Sequence, residues 1–523
     1  MADAPAVVTP GTERRCDVAI VGSGFAASIL SRTLVRQGLQ VVMLERASHP
    51  RFALGESSTP LAALSLERLA RRWRLPDLYA LAAYGRWRST LPHLRRGLKR
   101  GFTFYSHSPG VPYANSPDND HRLLVAASPN TSVADAHWLR ADVDAHLALA
   151  AARDGVELWE ETTLDGIEPT AAGLRLQGES HRRRFALTAR QVVDGSGRAG
   201  FLASQGVVQE VPPDRHHSLV YSHFRGLKPF PPLAQQAGAS CQPGPYPDEA
   251  AALHHLLDEG WMYVLPFDHG VASCGLVLRE PAEGERPEEI WQRVLARYPT
   301  LAASFVTAET VRPLERVVQL PYRRSAAAGD RWVLLPHSLA FSDPLFSTGM
   351  AWSLLAVERL ADLLPKMLAG EGDGREYGRL LHREADHIEA LVRAAYAALP
   401  DFEAFTAVTF LYFAAASFAE SRQRLVPDLP RPAWEVFLGA EDPVLSGLPE
   451  RAWERLGSGP GDESFRSWLL DAIAPRDVAG LGDPQRLNLY PLDLEILVQR
   501  AELLGLTPDA VRAALPRLRG QRS

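Results

Sequence analysis

Residues 16–45, CDVAIVGSGFAASILSRTLVRQGLQVVMLE, constrain the fold more than any other stretch of the chain. Val18 to Val21 is short and continuously apolar, the pattern of a strand buried on both faces. Residues 26–37 predict a helix that stops at Gly38, and residues 40–44 predict a second strand closed by Glu45. Strand, helix and strand in about thirty residues form a βαβ unit, so the two strands are expected to run parallel. Between the first strand and the helix stands Gly22-Ser-Gly-Phe-Ala-Ala27, a GxGxxA turn. Gly22 permits the tight turn, Gly24 lets a pyrophosphate approach the helix N-terminus, and Ala27 keeps the helix close to the sheet. Glu45 follows Gly22 by 23 residues, where a carboxylate accepts ribose hydroxyls. A dinucleotide is the expected ligand, and NAD and FAD both use such a unit.

The rest of the 523-residue chain has ordinary globular composition, 46% hydrophobic and 23% charged, with length for about three structural units. A net charge of −6 argues against nucleic acid as the main partner. Cys16, Cys241 and Cys274 are odd in number and far apart, which fits neither a disulfide framework nor a zinc knuckle. The first residues carry no apolar signal-peptide core, and Phe405 to Ala419 falls short of the ~18 apolar residues of a membrane span. A cytoplasmic protein with no transmembrane segment is expected. Residues 61–100 read as helical and rich in arginine, 101–130 as strands and loops, and 138–152 as a helix. Several strand-like runs between 206 and 325 predict a mostly antiparallel sheet, with a surface loop near 235–247. Beyond Gly349 the pattern is helical nearly to the end, and the aromatic run 405–418 reads as a buried helix.

Three further segments resemble the two-domain FAD hydroxylase superfamily. Val192-Val-Asp-Gly-Ser-Gly197 looks like its second strand-turn, and Asp330 to Pro336 with Asp343-Pro344 looks like its C-terminal flavin-contacting segment. Arg140-Ala-Asp-Val-Asp144 is similar to its flavin-side arginine helix. No second glycine-rich fingerprint marks an NAD(P)H domain, so FAD is favoured over NAD. The resemblance implies an α/β fold: a Rossmann-like FAD-binding domain, an inserted mostly antiparallel substrate domain and a helical C-terminal region. The expected division is a flexible tail at 1–14, FAD-binding segments at 15–205 and 326–365, the β-sheet domain at 206–325 and the helical region at 366–523. Cofactor contacts are implied at Gly22, Gly24, Ala27, Glu45, Arg46 and Ser57. Others are implied at Arg140, Asp194, Gly195, Asp343, Pro344, Gly349 and Met350.

Four motifs resemble flavin-dependent halogenases more specifically. Gly55-Glu-Ser-Ser-Thr-Pro60 is similar to that family's GES…P loop, and Leu98-Lys-Arg-Gly-Phe-Thr-Phe104 to the segment bearing its catalytic lysine. Gly260-Trp-Met-Tyr-Val-Leu-Pro266 resembles the GWxWxIP motif, and Asp343-Pro-Leu-Phe-Ser-Thr-Gly349 the flavin- and halide-binding loop. The resemblance implies a two-component oxidoreductase of secondary metabolism. Its FAD arrives reduced from a separate flavin reductase and reacts with oxygen, and chloride or bromide becomes a hypohalous acid that Lys99 directs to an electron-rich carbon. Ser347, Thr348 and Gly349 are the implied halide site, no metal is implied, and Glu56, Trp261 and Tyr263 join Lys99 as catalytic candidates. Tyr263 stands where the motif has its second tryptophan, and Phe346 stands where tryptophan halogenases carry a catalytic glutamate. A phenol, pyrrole or 1,3-diketone, free or carrier-tethered, therefore fits better than free tryptophan. Tyr263 keeps open a second reading, a monooxygenase on this scaffold that hydroxylates a phenolic ring, a lipid or a protein-bound aromatic. A third is a binding protein that kept the FAD fold without its chemistry.

Lysine usage bears on the choice. Of 56 basic residues only Lys99, Lys228 and Lys366 are lysines. A lysine inside the arginine run 95–100 is unexpected unless an amine is needed, since an ammonium loses its proton when desolvated and a guanidinium does not. The alternative is a solvated charge among Arg95, Arg96 and Arg100. His121, His137 and His146 have no metal-ligand spacing and read as surface residues, and His254-His255 reads as part of a polar segment. Ser196 lacks the spacing of a nucleophile elbow.

Overall fold

The structure is a computed structural model that describes residues 14–280, 284–426, 429, 434–457 and 463–518. The tail expected at 1–14 therefore lies, except for Arg14, outside the described residues. The βαβ unit forms as strand Arg14–Val21, helix Phe25–Val35 and strand Val41–Leu44. The strands run parallel, with Val18 opposite Val41. Every residue from Val18 to Val21 is buried, because helices cover both faces of such a sheet. Glu157–Trp159 adds parallel at one side and Arg183–Asp194 at the other. Arg183–Asp194 is long enough to serve two partners. Its first half pairs antiparallel with Gly173–Ser180, and its end pairs parallel with the returning strand Trp332–Leu334. That return brings residues after 330 back to the carboxyl ends of the strands.

A second sheet has nine strands. Ser218–Arg225, Val271–Leu278, Gly260–Pro266 and Ala252–Leu257 pair antiparallel in that order. It reaches beyond the 206–325 segment. Gly101–Ser106 pairs parallel to Ala252–Leu257, Arg122–Ala126 follows it, and Leu489–Tyr490 closes the edge. The apolar side chains of Phe102 and Phe104 need cover, and the aromatic residues Phe405, Tyr412 and Phe413 supply it, leaving both buried.

A short antiparallel ribbon joins the sheets. Arg96–Lys99 pairs with Asp135–Trp138, placing Lys99 opposite Asp135 and Gly97 opposite His137. A side chain at position 97 would meet the carbonyl oxygen of Pro266 at 1.9 Å, so glycine lets the ribbon press against the second sheet. The helix expected from 138 begins at Arg140, because Trp138 is still in the ribbon. His137 is buried rather than at the surface, and His254-His255 lies inside a wholly buried strand rather than a polar segment.

Helices Gly349–Ala369, Arg375–Ala398 and Phe402–Leu425 form much of the C-terminal part. The last is long and apolar enough to cross a membrane, but 72% of its apolar window is buried inside the fold. The aromatic run is a core helix, started by Asp401, whose carboxylate accepts the N–H groups of Glu403 and Ala404. Arg359 and Glu384 tie the first two helices together as a fully buried pair 2.6 Å apart. The same carboxylate accepts the Trp352 indole N–H at 2.9 Å and the Phe437 N–H at 2.9 Å. Removing one partner of a buried pair strands the other charge without water. Glu384→Ala is expected to cost about 3–5 kcal/mol, seen as a fall in melting temperature or urea midpoint.

Candidate functional site

A cavity of about 420 Å³ lies where the parallel sheet, the second sheet and the first C-terminal helix meet. Its floor is the turn at the start of helix Phe25–Val35. Gly22 has φ +92°, and a side chain there would come within 2.6 Å of the Gly195 carbonyl oxygen, so the two loops cross only because this residue is glycine. Gly24 begins the helix with no side-chain cap and no acidic residue in the first turn. The first N–H groups are left for a ligand, and the helix dipole favours an anion there. Two guanidiniums flank the spot: Arg140 and Arg51 stand 3.8 and 3.9 Å from where a Cβ on Gly24 would lie. Arg140 is fixed by both carboxylate oxygens of Asp144 at 2.8 Å and donates to Leu54 O at 2.7 Å.

Glu45 accepts from the Ser23 hydroxyl at 2.7 Å, the Ser23 N–H at 3.1 Å and the Ala47 N–H at 3.0 Å. Burial opposes its ionised form. The Arg51 charge and these hydrogen bonds outweigh burial and hold its carboxyl below the ordinary range. A pyrophosphate fits this donor set, with two arginines and an uncapped helix as anion partners. Arg46 is exposed and outside the lining, and Arg51 takes the cationic place instead. Asp194 is also outside the lining. Its carboxylate is used locally, accepting from the Ser196 hydroxyl at 2.6 Å, the Ser196 N–H at 2.9 Å and the Leu202 N–H at 2.8 Å. Gly195 lines the cavity in its stead, as do Ala27, Glu56 and Ser57.

A second helix N-terminus faces the same space. Thr348 precedes helix Gly349–Ala369 without a side-chain cap, and Ser347 adopts φ +51° to turn the chain into it. Asp343, Pro344, Ser347, Thr348, Gly349 and Met350 all line the cavity. Asp343 shapes this loop by accepting the Leu345 N–H at 2.9 Å. Its other oxygen accepts the Tyr396 hydroxyl at 2.7 Å, and that hydroxyl accepts the Trp261 indole N–H at 3.0 Å. His337 stands beside Gly349; burial, then the Arg140 charge, pushes it down to about 4, so it is neutral near pH 7.

Trp261, Tyr263 and His254 build the far wall. His254 stacks between Phe104 and Trp261, at 4.6 and 5.2 Å between ring centres. Burial, then the Lys99 charge, pushes it down to about 3. A neutral imidazole is flat and largely apolar, which is how a buried strand accommodates it. The Tyr263 ring covers Gly275, where a Cβ would meet the ring at 2.2 Å. Burial, then the nearby Glu56, pushes the Tyr263 phenol well above its usual range. Glu56 Oε1 lies 3.0 Å from His223 Nε2.

Lys99 lines neither this cavity nor the solvent; it is 0% exposed. Its ammonium donates to Ser58 O at 2.7 Å and stands 4.0 Å from the centre of the Phe102 ring. Phe102 is also a wall of a second, apolar cavity of about 90 Å³. Thr59, Phe102, Tyr412, Phe413 and Glu420 are among its walls, and Thr348 borders both cavities. The wet-surface alternative for Lys99 is excluded by this burial. Burial pushes the amine down to about 7 against the opposing charge of Asp135. Arg51, His223, Tyr396, Phe102 and Asp135 went unread in the sequence. Arg51, His223, Tyr396 and Asp135 come from segments outside the motifs, Phe102 lies inside one without standing out, and only the spatial arrangement singles them out.

The family model for tryptophan halogenase matches residues 122–404. The monodechloroaminopyrrolnitrin halogenase PrnC of Pseudomonas fluorescens is 30% identical over 415 residues, spanning 75% of this chain and 69% of the relative. The tetracycline 7-halogenase of Kitasatospora aureofaciens is 28% identical over 394 residues, 71% of this chain and 68% of the relative. Among solved structures, a point mutant of the halogenase PltM in complex with FAD superposes with a TM-score of 0.80 at 22% identity, covering 90% of this chain and 98% of that one. PltM in complex with phloroglucinol and FAD gives 0.72, covering 95% and 98%.

Gly24→Glu would put a carboxylate into the anion cradle beside the uncapped helix. It is expected to weaken FAD binding by about tenfold or more, measured by flavin fluorescence titration, with the fold retained by circular dichroism.

Proposed function

The chain belongs to the tryptophan halogenase family of flavin-dependent halogenases, an FAD-dependent oxidoreductase family, and from that premise we propose the reaction. The protein takes FAD reduced by a separate flavin reductase, oxygen, and chloride or bromide. It halogenates an electron-rich carbon of a phenol-, pyrrole- or 1,3-diketone-type substrate, presented free or on a carrier, and not free tryptophan. The observation that carries this reading is the placement of Lys99. A dry primary amine stands against the ring of Phe102, a wall of the aromatic cavity, and that cavity shares Thr348 with the dinucleotide cavity.

Bound FAD supplies the electrons that reduce oxygen and makes the oxidised halogen available as hypohalous acid. The residues do the rest. The helix at Gly24, with Arg51 and Arg140, holds the pyrophosphate. Thr348 and Gly349 offer N–H groups to the halide at the second helix N-terminus, while the Ser347 N–H is held by the Pro344 carbonyl at 3.0 Å and Ser347 shapes the turn. The apolar walls exclude water, so that the oxidant is not lost to it. Lys99 donates a hydrogen bond to the oxygen of the hypohalous acid and leaves the halogen electron-poor toward the ring. Phe102, Tyr412 and Phe413 offer aromatic faces to a flat substrate.

Phe346 supports the exclusion of free tryptophan: it is buried and stacked on Tyr412 at 4.7 Å, with no carboxylate to offer. The relatives' names, a pyrrolnitrin-type halogenase and a tetracycline halogenase, and the phloroglucinol bound to PltM support a phenol- or pyrrole-type ring. Tyr263 favours the hydroxylase alternative, since it lines the flavin cavity where the family motif has tryptophan.

The test is incubation with FAD, a flavin reductase, NADH, oxygen and bromide over phenols, pyrroles and 1,3-diketones, with product masses read with and without Lys99→Ala. Brominated product that needs bromide and falls about 10²-fold or more in the variant, with FAD still bound, is the expected outcome. A product that gains one oxygen whether or not bromide is present overturns halogenation in favour of the hydroxylase. Gly275→Val, which displaces the Tyr263 ring, is expected to lower product per NADH consumed and raise hydrogen peroxide in a peroxidase-coupled assay.

A further inference from the structure

Lys99 needs a counter-charge in the dry wall it occupies, and one carboxylate is placed to provide it. Asp135 is its cross-strand partner in the ribbon, so both side chains leave the same face. Asp135 is 4% exposed, and its Oδ2 is buried with no hydrogen-bond partner. The other charges near the pair come from helix Phe402–Leu425 and are already matched. Arg424 pairs with Glu420 at 2.7 Å and with Glu67 at 3.0 Å, and Arg86 reaches Glu67 at 2.6 Å. On the ribbon and the second sheet, His137 and His254 face the amine, and burial, then the Lys99 charge, pushes both down to about 3, so they remain neutral. The Tyr412 phenol, facing Asp135, is raised by burial, then by Asp135 itself, and is neutral too.

We propose that Asp135 is a positioning residue that holds the Lys99 amine in its protonated, hydrogen-bond-donating form. The inference rests on the halogenase reading of Lys99. In the transfer step the halogen–oxygen bond breaks and the carbon–halogen bond forms. The oxygen takes a proton from Lys99 and leaves as water. The substrate carbon gives up its proton, which returns to the amine, so the pair ends as it began. Asp135 stays beside the amine throughout and never touches the substrate. Burial pushes the Lys99 amine down and the Asp135 carboxyl up, and each group's charge opposes the other's shift, so removing Asp135 moves the Lys99 titration to lower pH.

The chain has only three lysines, so lysine labelled with ¹³C at Cε gives three resonances in the full-length protein, and Lys99→Ala identifies one of them. In Asp135→Asn the Lys99 midpoint is expected to fall by about one unit or more. The alkaline limb of halogenation should fall with it, and Asp135→Glu should restore both in part. Circular dichroism and FAD binding verify folding; should Asp135→Asn fail to fold, the smaller shift in Asp135→Glu is the reading. An unmoved Lys99 titration in a folded variant overturns the proposal, as does a moved titration with an unmoved pH profile, which would leave the pair a structural one. If Lys99→Ala leaves product formation intact, the halogenase reading fails separately, because the resonance still reports whether Asp135 sets the charge of the amine.

Discussion

An amine kept out of water must be compensated within the protein, and the site is arranged around that requirement. Lys99 has one carbonyl acceptor, one aromatic face and one cross-strand carboxylate. Each comes from a different segment: the loop after the βαβ unit, the strand that follows the lysine, and the returning strand of the ribbon. The amine stays in place only while all three are packed together. The ribbon in turn lies flat on the second sheet only because position 97 is glycine.

The flavin cavity obeys a complementary rule. Two helices begin at its edge, and neither N-terminus is capped by its own side chain. Uncapped N-termini are a cost that a bound anion removes, which makes both helix ends favourable places for negative charge. Thr348 borders both this cavity and the aromatic one. The two cavities therefore adjoin at one residue of the loop that opens the second helix.

Short-range features were legible. The GxGxxA turn, its helix and the acid closing the second strand depend on local backbone sterics, and the structure builds them where the spacing puts them. Lys99 was legible for another reason, since a lone lysine in an arginine-rich stretch signals a need for an amine. Elsewhere packing, rather than residue type, decides where a side chain sits. Arg46 follows the acid in sequence but points to solvent, and Arg51 arrives from the next loop. Asp194 lies in a motif-like turn but uses its carboxylate to hold that turn. His254 and His255 look polar, yet one stacks between two aromatic rings and the other lies 3.0 Å from His107.

By itself, the sequence determined the βαβ unit, its glycine turn and the singular lysine of an arginine-rich run. These follow from periodicity, glycine sterics and the chemistry of single side chains, all of which act over a few residues. Tertiary structure decided what surrounds that amine: the Phe102 screen, the Asp135 partner, the second cavity and its meeting with the first at Thr348. Those depend on which distant segments share a dry interior, and charge and hydrogen bonding acquire their strength only once water has been excluded by that packing.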